Sequence, residues 1–141
     1  MFADGKGGDT LDGWGGSHGF GIGGPAPVPD GAVQNAYWPN WNIARDIVLL
    51  PSGSGHSGYT LDGYGGIQPF TAAGDPKPPA ISGAYWPGWD IARGIVLLPG
   101  SATSGYTLDG WGGTHPFGGA PLIAAGLYTP NRALAIRLSG G

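Results

Sequence analysis

Two hydrophobic patterns alternate along this chain. Ile47-Val48-Leu49-Leu50 and Ile95-Val96-Leu97-Leu98 are unbroken apolar runs, the mark of a strand covered on both faces. Tyr59-Thr60-Leu61-Asp62 and Tyr106-Thr107-Leu108-Asp109 alternate instead, with Tyr and Leu on one side and Thr and Asp on the other. That is the pattern of a strand with one covered face. Both kinds of segment are short and bounded by Gly and Pro, which predicts strands joined by tight turns. A helix over residues 41–50 is the competing reading, because Trp41, Ala44, Ile47 and Val48 would share one face. The flanking prolines and the short length argue against it.

These segments belong to a repeat. Thr10-Leu11-Asp12-Gly13-Trp14-Gly15-Gly16 returns as Thr60-Leu61-Asp62-Gly63-Tyr64-Gly65-Gly66 and as Thr107-Leu108-Asp109-Gly110-Trp111-Gly112-Gly113, at intervals of about 50 residues. A longer phrase precedes two of the copies. Ala36-Tyr37-Trp38-Pro39-Asn40-Trp41 leads into Ile43-Ala44-Arg45-Asp46, and Ala84-Tyr85-Trp86-Pro87-Gly88-Trp89 into Ile91-Ala92-Arg93-Gly94. A period of this size marks stacked copies of one supersecondary unit, and a unit this small needs its neighbours to complete a core. Residues 36–70 and 84–117 are whole units within one domain spanning 1–141. Residues 9–20 read as the second half of a unit and 128–141 as a first half, with Arg132 to Leu138 as a shortened Arg-x-Ile-Val-Leu-Leu strand and Arg137 at a Leu position. Complementary halves at the two ends are expected to pair in one sheet.

Composition narrows the class. With 31 Gly and 14 Pro in 141 residues the chain is turn-dense. Its 6 Trp, 6 Tyr and 4 Phe set it apart from disordered glycine-rich sequence. A net charge of −3 with 6 Lys and Arg leaves no basic stripe, so no nucleic-acid partner is expected. Cysteine is absent, which excludes disulfides and thiolate metal sites. The apolar runs are too short to cross a membrane, and residues 1–8 have no signal-peptide character.

The repeat nominates its own candidate chemistry. Asp12, Asp62 and Asp109 occur once per unit and are matched in number by Arg45, Arg93 and Arg132. They are read as ion pairs or as carboxylates capping the Gly turns. Trp14, Tyr64 and Trp111 follow in those turns, where little chain surrounds them. Flat aromatic faces there can stack on the apolar faces of sugars. His18, Gln68 and His115 share one place in the unit; the Gln suits hydrogen bonding to a ligand rather than metal or proton chemistry. Trp38 and Trp86 join the candidate sugar-binding set, although at least one Trp of each Tyr-Trp-Pro-x-Trp segment is read as packing. His56 has no acidic or His partner near it in sequence, and no metal or cofactor site is expected. No catalytic motif is present; Gly19 to Gly24 fits Gly-x-Gly-x-x-Gly only formally, with prolines directly after it.

The stretch Ile91 to Pro99 followed by Gly105-Tyr106-Thr107-Leu108-Asp109-Gly110-Trp111-Gly112-Gly113-Thr114-His115-Pro116-Phe117-Gly118 resembles tandem repeats of bacterial, mostly actinobacterial, surface-associated and secreted proteins. The resemblance implies β-propeller blades and an extracellular or surface setting. In assembly the chain is similar to small bacterial fucose-binding lectins, whose short chains combine into one propeller. The expected fold is therefore all-β: a β-propeller with three blade-repeats per chain, closed as a six-blade homodimer. A monomeric β-trefoil or β-prism is the alternative. The expected function is non-enzymatic, lectin-like binding of a glycan through multivalent weak sites, with a structural or protein-interaction scaffold as the alternative.

Overall fold

A computed structural model describes residues 1–2, 5–24, 36–72, 74–124 and 133–139. Eight strands and no helix occur among them: β1 (Gly7–Leu11), β2 (Ser17–Gly21), β3 (Ala44–Leu49), β4 (Gly58–Asp62), β5 (Ile67–Phe70), β6 (Ala92–Leu97), β7 (Gly105–Asp109) and β8 (Thr114–Phe117). They form three small antiparallel sheets, ordered β1-β2, β3-β4-β5 and β6-β7-β8. The chain is all-β. Residues 44–49 are a strand, so the helical alternative for 41–50 does not hold. Among the described residues the sheets close into neither a barrel nor a propeller ring.

The two complete sheets are copies down to their irregularities. Val48 lies opposite Tyr59 and Leu49 opposite Gly58, just as Val96 lies opposite Tyr106 and Leu97 opposite Gly105. Both first strands carry a bulge at the same place, between Ala44 and Asp46 and between Ala92 and Gly94. An extra residue there bends the strand and leaves Asp46 or Gly94 to face the neighbouring unit.

The unbroken apolar runs were expected to be covered on both faces. In β6 that holds for Ile95 and Val96, which are buried, while Leu97 and the following Leu98 are half-exposed. In β3 Ile47, Val48 and Leu49 remain half-exposed, because they line an open groove beside β1. The alternating strands depart the other way. In β4 and β7 both faces are buried, so Thr60 and Thr107 are fully enclosed beside Tyr59 and Tyr106. Neither threonine hydroxyl has a hydrogen-bond partner. The middle strand of each sheet is packed by neighbouring strands on both sides, and packing overrides the sequence alternation.

The core runs between the two complete sheets. Leu50, Tyr59, Leu61 and Ile67 of one unit meet Ala92, Ile95 and Phe117 of the next. No unit buries its own apolar strands alone. Tyr59 spans the joint: its hydroxyl lies 2.9 Å from the carbonyl oxygens of both Pro79 and Ala102.

Backbone bonds fasten consecutive units at the repeated turn. Ile43 and Ala44 both donate to the Gly13 carbonyl at 2.9 and 3.0 Å, and Ile91 and Ala92 both donate to Gly63 at 2.9 Å. Trp38 N–H donates to Trp14 and Trp86 N–H to Tyr64, each at 2.7 Å. The Tyr-Trp-Pro-x-Trp segment is thus the clasp by which each of the two complete units grips the turn before it. Asn40 bends that segment with φ at 64°, where the second copy uses Gly88 at 72°.

The C-terminal copy follows the same rule. Ala133 donates to the Gly110 carbonyl at 2.8 Å, which makes it the counterpart of Ala44 and Ala92. Leu134 then occupies the place of Arg45 and Arg93, and Arg137 the place of Val48 and Val96 rather than of a Leu. This corrects the expected match of Arg132 with the other two arginines. Arg132 itself, with residues 128–131 and 140–141 of the expected half-unit 128–141, lies outside the described residues. Residues 133–139 join no sheet among the described residues, and the rest of the expected end-to-end pairing falls on residues outside them.

Candidate functional site

The repeated aspartates cap turns. Asp12 Oδ1 accepts the amides of Trp14 at 2.8 Å and Gly16 at 2.9 Å. Asp62 receives Tyr64 and Gly66, and Asp109 receives Trp111 and Gly113, at matching distances. The backbone closes the same loop, since Asp12 N–H donates to Gly16 and Gly15 N–H to Asp12. Glycine is required at the third turn position. Gly15, Gly65 and Gly112 have φ of 95°, 91° and 88°. A Cβ on Gly65 would also fall 2.3 Å from the Ala84 carbonyl oxygen and 3.0 Å from the Trp86 ring.

The histidines complete two of these turns. His18 Nε2 lies 2.9 Å from Asp12 Oδ2, and His115 Nε2 lies 2.8 Å from Asp109 Oδ2. Hydrogen bonds from His18, then from the Gly16 amide, hold the Asp12 carboxyl below the ordinary aspartate range. In the remaining unit Gln68 sits across the strand pair from Thr60.

Arg45 and Arg93, the described arginines of this set, meet a different aspartate. Arg45 reaches Asp90 in the next unit, with Nε 3.0 Å from Oδ1 and a further contact from its terminal nitrogen to Oδ2. Arg93 Nη1 lies 3.2 Å from the same Asp90 Oδ1. Arg45 also bonds Asn42, which holds the place of Asp90 one unit earlier. Burial raises the Asp90 carboxyl, but the Arg45 hydrogen bond and both guanidinium charges outweigh it, and the net shift is downward. The Arg–Asp pairing is therefore a staple between units, formed by an aspartate that the repeat count did not single out.

Exposure separates the repeated aromatics. Trp14 is 42 % exposed, whereas Tyr64 and Trp111 are half-buried. Trp41 meets Tyr64 edge-on at 5.7 Å between ring centroids. Trp86 meets His115 edge-on at 4.9 Å, and Trp38 and Trp86 cover Gly15 and Gly65. Trp38, Tyr64 and Trp86 thus pack the joints between units. The first turn keeps an open recess of about 340 Å³ lined by Asp12, Gly13, Trp14 and Asn42, with His18 64 % exposed on the Asp12 carboxylate.

Other polar groups are clusters that sequence spacing could not show. Asp75 accepts Ser54 N–H at 2.9 Å and the Ser54 and Ser57 hydroxyls at 2.7 Å. His56 stacks on Phe2 at 4.2 Å, and its Nδ1 lies 3.9 Å from Asp9 Oδ2. Asp46 accepts its neighbour Ile47 N–H and, from the next unit, Ile95 N–H, both at 2.9 Å. Its only sequence signal was a charge beside an apolar run.

Comparison of the chain with models of protein families, with characterised proteins and with solved structures finds no match.

Proposed function

We propose that this chain is a non-enzymatic carbohydrate-binding module whose best-formed site is the first repeated turn. The observation that carries this reading is an exposed indole, Trp14, beside a recess edged by a carboxylate and a carboxamide. A sugar offers an apolar C–H face for an indole and hydroxyls for polar side chains. Asp12 Oδ1 is committed to turn amides, while Oδ2 shares only His18. With Nε2 donating to Asp12, His18 Nδ1 is an acceptor facing solvent, and Asn42 adds donors. The turns at Trp111, with His115, and at Tyr64, with Gln68, are more covered versions that would add weak contacts, and repetition turns weak contacts into avidity.

The propeller reading draws support from blade-like units that bury each other's strands. A six-blade ring of two chains is one way to close such units, and closure by a single chain is the other. Closure by one chain or by two changes the number of sites and leaves their chemistry alone.

A protein-interaction scaffold is the second reading, favoured by Tyr37, Tyr85 and Trp89, each more than half exposed on the clasp segments. A glycan array probed with the full chain and with Trp14→Ala tests both. The lectin reading expects array binding that Trp14→Ala abolishes while the thermal transition is kept. A folded wild-type chain that binds nothing on the array would overturn it.

A further inference from the structure

The three sheets are unequal in one respect. β4 and β7 each have a first strand on one edge and a third strand on the other, whereas β1, their counterpart, is paired among the described residues only with β2. Phe2 N–H takes the Gly7 carbonyl at 2.8 Å. Asp9, Thr10 and Leu11 beyond it line an open groove of about 510 Å³. The chain also holds one first strand too many. Residues 133–139 repeat the register of β3 and β6 from Ala133 onward, yet join no sheet.

Side chains in the groove and the strand fit each other at one position. Carried over from β3 and β4, the register sets Ala135 opposite Leu11, Ile136 opposite Thr10 and Arg137 opposite Asp9. In both complete sheets that last pair is apolar, Val48 with Tyr59 and Val96 with Tyr106. Here both members are charged, and with opposite sign. Asp9 is half-buried with its side chain 4 % exposed; His56 Nδ1 lies 3.9 Å from Oδ2, and Oδ1 has no hydrogen-bond partner among the described residues. A buried carboxylate in that state carries a large desolvation cost unless a charged donor meets it.

Arg137 is close at hand. It lines the same groove with its side chain 71 % exposed, 3.8 Å from Asp46 Oδ2. Ile136 already lies against Gly94, whose Cβ would fall 3.1 Å from the Ile136 nitrogen. Asp46 stands on β3 and bonds β6, so β3, β6 and 133–139 gather around one point beside the β1 edge.

We propose that residues 133–139 close onto the free edge of β1 in the same chain, as the first strand of its sheet, with Arg137 paired to Asp9. The groove is then the seat of a strand, and a single chain fastens its own ring of three units. That is the arrangement of a prism-like monomer. The inference is independent of any ligand.

The cysteine-free chain makes a clean test. Residues directly opposite in an antiparallel pair have Cα atoms about 4.5–5.5 Å apart, inside the range a disulfide spans. The full chain carrying Asp9→Cys and Arg137→Cys is expected to oxidise to an intramolecular disulfide, monomeric on a non-reducing gel and lighter by two hydrogens. Two thiols left unreacted under oxidant would overturn the proposal. A disulfide joining two chains would overturn closure within one chain and assign the edge to a second copy.

Native-state hydrogen exchange on the unaltered chain reads the same strand without mutation. Slowly exchanging amides are expected both within residues 9–11 and within residues 135–137. Exchange there as fast as in the exposed Ile22–Gly24 turn would contradict it. Charge reversal supplies the cycle: Asp9→Arg and Arg137→Asp should each lower the unfolding midpoint, and together should restore most of the loss. Losses that simply add would count against the pair.

Discussion

At the scale of single residues, the repeated aspartate is a turn cap. Asp62→Ala would strand the amides of Tyr64 and Gly66 in a half-buried turn. Leaving such donors unsatisfied costs about 1–3 kcal/mol, so a loss of about 2 kcal/mol by denaturant titration is expected. Gly65→Ala should cost at least as much, since it meets both a positive φ and the Ala84 carbonyl. Protonation gives a separate handle. Asp12 has a folded pKa below its unfolded value, so its contribution is present above about pH 4 and is lost as pH falls through the folded value. Asp46, raised by burial against the pull of the Ile95 and Ile47 amides, has the opposite sign: its contribution is full below about pH 4 and is lost as pH rises through its folded value. Asp12→Ala should therefore flatten the acid limb of a stability–pH curve, and an unchanged limb would refute the assignment. The capped turn was legible in Asp-Gly-x-Gly-Gly. The Arg45–Asp90 staple was not, because it crosses between units and its carboxylate has Asn42 as the earlier counterpart.

At the scale of elements, each strand was visible in its local pattern, but its burial was set by what lay beside it. The run Ile47 to Leu50 and the run Ile95 to Leu98 are nearly identical in sequence, yet Ile95 and Val96 are buried where Ile47 and Val48 are half-exposed. Thr60 and Thr107 looked like solvent-facing residues and are instead the covered backs of the middle strands. The joints between units should be the places where stability is lost. Asp46→Ala removes the acceptor shared by β3 and β6, and about 1–3 kcal/mol of destabilisation is expected. Tyr59→Phe leaves the Pro79 and Ala102 carbonyls without their hydroxyl, at about 1 kcal/mol. Equilibrium unfolding of each variant reads these values, and neutral results would mean that the joints are not what hold the units together.

At the scale of the whole molecule, the repeat announced that copies would stack, and they do so through a clasp-and-turn joint used at Gly13, Gly63 and Gly110. How the stack ends was not legible. The displaced register of the last copy, with Leu134 rather than Arg132 at the place of Arg45 and Arg93, emerges only from the backbone bond of Ala133 to Gly110. The same joint brings an exposed indole, a His–Asp pair and a carboxamide to the first turn, and leaves Tyr64, Trp111 and His115 half-buried at the others. On the proposed reading the first turn is therefore the place to measure. Titration of the isotope-labelled full chain with a panel of neutral disaccharides and trisaccharides, followed through the indole N–H resonances, tests this most directly. The account predicts a saturable shift of the Trp14 signal with some member of the panel, while the Trp86 signal stays in place. Indole signals that do not move with any sugar, in a chain shown to be folded, would contradict it.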